Sequence, residues 1–250
     1  MNHSISSKDV FRFRQFSVKH DKCGMKVGTD GVLIGAWTCW MLRQKNIDEE
    51  ITVLDVGTGC GLISLMIAQE CTHANVTGID IEDDAVEQAR ENVAASAFCN
   101  NIKIEKVDFN DLQYFSSKYN AIVSNPPFYT ENILSGNTSR DNARHTSALS
   151  FETLTKHSSH LLAENGDLCI IIPTEYVSNV IADCCAVQLY LSHRVDIKTT
   201  LRKAAKRTIL HFVKSMQARS VPSSHTTMLM RDETNELTDE YKALTDKFYL

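Results

Sequence analysis

Apolar positions in this chain fall into two periods that take turns. Short, nearly continuous apolar runs at 51–56, 74–80, 102–108, 119–124 and 167–173 read as strands covered on both faces. Between them lie helical patterns at 62–69, 83–98, 151–163 and 175–187, the second of which is amphipathic. A further helical run at 32–42 follows Thr29 and Asp30, either of which suits its N-cap. The segments 189–198 and 207–214 read as a final strand pair, 226–230 as another short strand, and 237–248 as a closing helix. Strand alternating with helix predicts a doubly wound α/β architecture. At the front, residues 10–20 alternate Phe11, Phe13 and Phe16 with Arg12, Arg14 and Gln15, the pattern of a hairpin arm with one apolar face. The phenylalanines are expected to pack, although interleaved aromatic and basic residues also suit RNA.

The stretch 51–61, ITVLDVGTGCG, organises this pattern. A strand ends in Asp55, and the alternate glycines Gly57, Gly59 and Gly61 permit a tight turn and close approach of a ligand. The helix that follows points its free N–H groups at that loop, which describes a nucleoside-cofactor site. A diphosphate fingerprint needs its third glycine where Leu62 stands, so a dinucleotide fits poorly. A plain tight turn is the competing reading. The second strand ends in Asp80, 25 residues beyond Asp55 and followed by Ile81, where a carboxylate can accept from both ribose hydroxyls. The third ends in Asp108 and Phe109, a pair suited to hydrogen-bonding and flanking an adenine ring; the simpler alternative for Asp108 is a turn or cap.

The fourth strand runs into Asn125-Pro126-Pro127-Phe128. The prolines lock φ, remove two donors and hold Asn125 extended. The Asn125 side-chain oxygen and the Pro126 carbonyl can then accept from one amino group, with Phe128 as a stacking face. An aromatic amine is a poor nucleophile because its lone pair is delocalised, and two acceptors favour the pyramidal nitrogen whose lone pair can attack a sulfonium methyl. Positive charge passes from sulfur to nitrogen, so carbonyl dipoles are the fitting stabilisers. The long polar stretch 129–147 beside this edge, with Arg140 and Arg144, reads as a substrate loop.

Composition narrows the setting. The 250 residues suffice for one large domain with small additions. No run of 18 apolar residues and no signal-peptide pattern occurs, so a soluble cytoplasmic protein is expected. Eight cysteines are scattered without a Cys-x-x-Cys pair, and His157 and His160 lack a third partner, so neither metal nor disulfide framework is expected. A net charge of −5 argues against indiscriminate coating of nucleic acid. Basic clusters at Lys19, Lys22 and Lys26, and at Arg202, Lys203, Lys206 and Arg207, still permit a local positive face.

With these residues in view, 55–61 resembles the first motif of S-adenosylmethionine-dependent methyltransferases. The blocks FRFRQFSVKHDKCGMKVGTDGVLIGAW, VLDVGTGCG and SNPPFY, with the FYL ending, are similar to the bacterial tRNA (adenine-N6)-methyltransferases that modify valine tRNA just 3′ of the anticodon. The resemblance implies a mostly parallel seven-stranded sheet of the Rossmann-like class I kind, with an N-terminal arm and helix at 1–45 and the methyltransferase domain at 46–250. It implies S-adenosylmethionine as donor, tRNA as partner, a monomer, and direct in-line displacement at residues 125–128. Lys26, Thr29 and Asp30 are then expected to close over the cofactor, and Tyr129, Lys19, Lys22, Arg140, Arg144, Arg202, Lys203, Lys206 and Arg207 to serve the tRNA. Phe128 departs from the Tyr of many amino-methyltransferases, which keeps stacking and loses a hydroxyl. Alternatives are methylation of a protein glutamine amide or a ribosomal-RNA guanine, an NAD(P)-dependent oxidoreductase, and a non-catalytic module. Intact Asp55, Asp80, Asp108 and Asn125 speak against the last.

Overall fold

In the computed structural model, which describes residues 9–45, 50–111, 115, 118–127 and 149–250, one mixed sheet runs through the molecule. The strand that positions the site is β3 (Ile51–Val56), which is followed at once by the glycine loop and flanked on both sides by parallel neighbours. After a short hairpin of β1 (Val10–Arg12) and β2 (Ser17–Lys19), the sheet strands in chain order are β3, β4 (Ala74–Asp80), β5 (Ile102–Lys106), β6 (Tyr119–Ser124), β7 (Leu162–Pro173), β8 (Tyr190–Thr200), β9 (Arg207–Val213) and β10 (Ser224–Arg231). Their order across the sheet is β10-β8-β9-β7-β6-β3-β4-β5. β3 to β7 are parallel; β9 runs antiparallel to both β7 and β8, since the short connection 201–206 can only make a hairpin. The strands read from the pattern, the short segment 226–230 included, are all present. The eighth, β10, corrects the seven-stranded expectation by pairing parallel to β8 at the edge.

Helices α1 (Thr29–Gln44), α2 (Leu62–Glu70) and α3 (Asp83–Ala94) cover one face. The other carries α4 (Phe151–Leu161) and α5 (Val177–Ala186). Both faces must therefore be apolar, and they are: Val53 and Val123 look toward α1 and α2, while Leu54 and Ile122 look toward α4 and α5. This explains strands that read as continuous apolar runs rather than alternating ones.

The boundaries that differ have local causes. α1 starts at Thr29 with Gly28 in the cap position and no side-chain cap, because Asp30 turns to Arg207 instead. β5 stops at Lys106, because Asp108 is occupied in a turn. The final helix, α6 (Asp239–Thr245), is shorter than the apolar pattern suggested and is capped by the Thr238 hydroxyl, which accepts from the Tyr241 N–H.

The hairpin arm packs against residues 248 and 249. Phe13 and Phe16 are buried, their rings 4.8 Å apart, and Phe13 stacks on Tyr249 at 6.1 Å. The Arg14 N–H donates to the Phe248 carbonyl at 2.9 Å. The phenylalanines of the arm thus take the packing role expected of them. Phe248, 1% exposed, joins the cluster containing α1. Phe248→Ala is therefore expected to lower stability by about 3–5 kcal/mol in urea denaturation; a loss below about 1 kcal/mol would show the chain end to be only loosely seated.

Candidate functional site

The loop after β3 is held from below by one buried carboxylate. Asp55 Oδ2 accepts from the Thr58 hydroxyl at 2.7 Å, the Ser64 hydroxyl at 2.7 Å and the Ser64 N–H at 3.1 Å. Gly57, Gly59 and Gly61 take positive φ of 72°, 55° and 82°. Gly78 of β4 leaves room for this network: a Cβ there would stand 2.8 Å from Thr58 Oγ1 and 3.0 Å from Ser64 Oγ. Asp55 is fully buried and braces the loop rather than lining the cleft above it. Burial, partly offset by the Ser64 and Thr58 hydrogen bonds, pushes its pKa up to about 6.

Above the loop lies a cleft of about 700 Å³, a size suited to a nucleoside-sized ligand. Of the expected site residues, Gly57, Gly59, Asp80, Ile81, Asp108, Phe109, Pro126 and Pro127 line it. All sit at carboxyl ends of parallel strands, because Asp55 pairs with Gly78 and Val123, and Val56 with Ile79 and Ser124. Asp80 Oδ2 accepts from the Gly59 N–H at 2.9 Å and Oδ1 from the Glu82 N–H at 3.1 Å, so this acid ties two walls together. Asp108 Oδ1 accepts from the Asn110 N–H at 2.8 Å. It is both the turn former of the simpler reading and a cleft residue. Phe109 is buried edge-on to Phe115, with ring centroids 5.7 Å apart. Its carbonyl lies 2.8 Å from Nδ1 of His157, a half-buried residue.

The wall opposite the strand ends is Lys22, Cys23, Gly24 and Met25. Lys26, Thr29 and Asp30, expected there, lie just beyond, and Asp30 Oδ2 accepts from Arg207 Nε at 2.7 Å. Asn125 is half-buried, with Nδ2 3.9 Å from where a Cβ on Gly31 would stand, at the first turn of α1. The Ser124 hydroxyl donates to the Val56 carbonyl at 2.8 Å and joins the ends of β3 and β6. Phe128, Tyr129, Arg140 and Arg144, together with the expected substrate loop, lie outside the described residues.

Charge sorts the basic candidates. Lys22 Nζ donates to Glu87 at 2.7 Å and Glu91 at 2.8 Å, and these bonds, Glu87 first, raise its pKa. Lys19 approaches Glu91 at 3.9 Å. Those two lysines thus face acids of α3, and Arg207 faces Asp30. Arg202, Lys203 and Lys206 are exposed on the β8–β9 turn and form no ion pair among the described residues. Pro173 at the end of β7 pairs with Arg207, so this turn projects from the same edge as the cleft. Among the described residues no group of three or more His, Cys, Asp or Glu is arranged to hold a metal, and no helix is long and apolar enough to cross a membrane. The eight cysteines are free thiols, four of them buried.

A doubly wound sheet whose glycine loop and strand-end acids share one cleft has the Rossmann-like class I methyltransferase fold. Residues 40–183 match the methyltransferase small domain, and a crystal structure described as a predicted O-methyltransferase of Agrobacterium tumefaciens superposes with a TM-score of 0.66 at 17% identity, covering 88% of this chain and 96% of that one. Two proteins named tRNA1(Val) (adenine(37)-N6)-methyltransferase are closer in sequence. That of Phocaeicola vulgatus is 42% identical over 96% of this chain and 97% of its own length, and that of Bacteroides fragilis 38% over 98% and 99%. The chain belongs to this tRNA1(Val) (adenine(37)-N6)-methyltransferase family.

The buried Asp55 has a testable pH signature. Its folded pKa of about 6 exceeds the unfolded value, so its contribution is complete below about pH 4 and is lost as pH rises through about 6. Asp55→Asn lacks that loss. Its stability relative to the parent is expected to improve by about 1 kcal/mol between pH 5 and pH 8 in paired urea melts; a difference that does not move with pH would place the carboxyl near its ordinary range.

Proposed function

We propose that this chain transfers a methyl group from S-adenosylmethionine to the exocyclic 6-amino group of an adenosine in tRNA, position 37 of valine tRNA as in its named relatives. One observation carries the reading: the Pro126-Pro127 edge that follows Asn125 lines the same cleft as Gly57, Gly59, Asp80 and Asp108. The residues present fit the donor. A Cβ on Gly57 or Gly59 would meet nothing within 4 Å, so these glycines leave a cradle, and Ile81 is 37% exposed at its side. In this reading Gly57 and Gly59 let the main chain approach the ligand, and Asp80 receives the ribose hydroxyls with the lone pairs that Gly59 and Glu82 leave. Asp108 takes the adenine amine between Ile81 and Phe109. Asp55 and Gly61 shape the loop from outside the cleft, and Lys26, Thr29 and Asp30 sit at the margin of its far wall.

S-adenosylmethionine, when bound, supplies a methyl group on a sulfonium centre. The chain's own residues prepare the acceptor. The Asn125 side-chain oxygen and the Pro126 carbonyl accept the two N–H bonds of the target amine, which draws its lone pair out of the ring. Pro126 and Pro127 fix the backbone so that these acceptors need no reorganisation, and orientation of this kind is worth roughly 7–11 kcal/mol. Phe128, in turn, stacks on the target base. As the nitrogen becomes cationic, the two oxygens stabilise it and lead the released proton to solvent. Arg202, Lys203 and Lys206 meet the tRNA backbone, with Tyr129, Arg140 and Arg144 as the remaining substrate contacts.

Methyl transfer from labelled S-adenosylmethionine to tRNA lacking the modification, followed by nucleoside analysis, is expected to yield N6-methyladenosine. Label found only in protein or ribosomal RNA would overturn the substrate. Asn125→Ala is expected to lower kcat by about 10²–10³-fold, roughly 2.7–4 kcal/mol, with little change in cofactor affinity. Turnover within twofold of the parent would remove its assigned role. Asp80→Ala should do the opposite, weakening cofactor binding about tenfold or more by calorimetry; an unchanged dissociation constant would end the ribose assignment.

A further inference from the structure

The cleft has two walls that are far apart in sequence, and one buried side chain joins the segments that lead into them. Asn92 lies on α3 with 3% exposure. Its Nδ2 donates to the Lys19 carbonyl at 2.8 Å and to the Cys60 carbonyl at 2.8 Å, and its Oδ1 accepts from the Lys19 N–H at 2.9 Å. Cys60 stands between Gly59, which lines the cleft, and Gly61, which starts α2. Lys19 enters the segment whose residues 22–25 form the opposite wall.

The same face of α3 carries the supporting contacts. Gln88, fully buried one turn earlier, accepts from the Lys22 N–H at 3.0 Å, and Glu87 and Glu91 hold the Lys22 ammonium. These four positions, 87, 88, 91 and 92, fall together at i, i+3 and i+4 spacing. Ala89 meets the glycine loop directly, since a Cβ on Gly61 would lie 3.4 Å from its own Cβ. The segment is closed at its far end by His20, whose Nδ1 accepts from the Val27 N–H at 3.3 Å.

We propose that Asn92 is a positioning residue for the cofactor: its amide sets the separation between the 22–25 wall and the glycine loop, and so the width of the nucleoside cleft. An apolar side chain would fill the same volume on α3. The two N–H bonds of the amide join the Lys19 and Cys60 carbonyls, and its oxygen adds a second bond to the Lys19 main chain. A buried amide without these partners would carry a desolvation cost, so the three bonds act as a unit. This inference rests on the cofactor reading given above.

The test compares calorimetric binding of S-adenosylhomocysteine to the parent, Asn92→Leu and Asn92→Asp, alongside kcat at saturating S-adenosylmethionine. Asp keeps the size and the bond from Lys19 N–H but turns a carboxylate toward two carbonyls. Both variants are expected to bind about tenfold or more weakly, with kcat at saturation within about threefold of the parent. Cys23, whose thiol contacts Cys60, should react faster with a maleimide in both. A folded variant with affinity within twofold of the parent, or one that loses kcat at unchanged affinity, overturns the proposal. Should neither variant fold, hydrogen exchange on the parent decides: S-adenosylhomocysteine is expected to protect 19–25 and 57–61 together, and protection of 57–61 alone overturns it. A parent that binds no S-adenosylhomocysteine removes the cofactor reading and this inference with it.

Discussion

A carboxylate enclosed by protein must find donors, and Asp55 finds three, one in the turn that follows it and two from Ser64 in the first turn of α2. The rest of the site depends on that constraint. With Thr58 and Ser64 drawn to one oxygen, the chain reverses within a few residues, three glycines take left-handed angles, and α2 begins at once. The loop leaves its outer surface bare of side chains where the cleft opens. A glycine on the neighbouring strand is part of the same arrangement, because any larger residue at position 78 would press on the two hydroxyls.

Parallel pairing does the remaining work of assembly. Because β4, β3 and β6 run the same way with little offset, their carboxyl ends arrive at one edge, and Asp80 and Pro126 become neighbours although far apart in sequence. Asp80 then binds the loop of the adjacent strand through the Gly59 N–H. The Asp30–Arg207 pair ties α1 to the start of β9, directly below the exposed basic turn. The cleft and the surface assigned to tRNA thus share one rigid edge, while α3 anchors the opposite wall through Gln88 and Asn92.

Charge distribution is equally a product of this packing. The basic cluster of Lys19, Lys22 and Lys26 looks in sequence like a local positive face. In the fold, Lys19 and Lys22 face Glu87 and Glu91 on α3. Arg202, Lys203 and Lys206 are exposed on a short hairpin turn and form no ion pair among the described residues.

The sequence by itself determined the strands, the glycine loop, the acids at strand ends and the Asn-Pro-Pro edge. Each is a local matter, set by apolar period, by φ freedom or by the rigidity of proline, and adjacent residues suffice to display it. Only the tertiary structure decided which polar residues face the cleft. Asp55 proved to be a brace beneath it, Asp30 a partner of Arg207, and His157 a support for Phe109. Lys22 to Met25, rather than Lys26 to Asp30, came to form the far wall, because α3 holds that segment through side chains about 70 residues away, at separations of 66 and 73 positions. Such contacts leave no periodic trace in the chain. They arise when helices dock on a sheet, and a buried amide such as Asn92 reads in sequence as one more polar residue on an amphipathic helix.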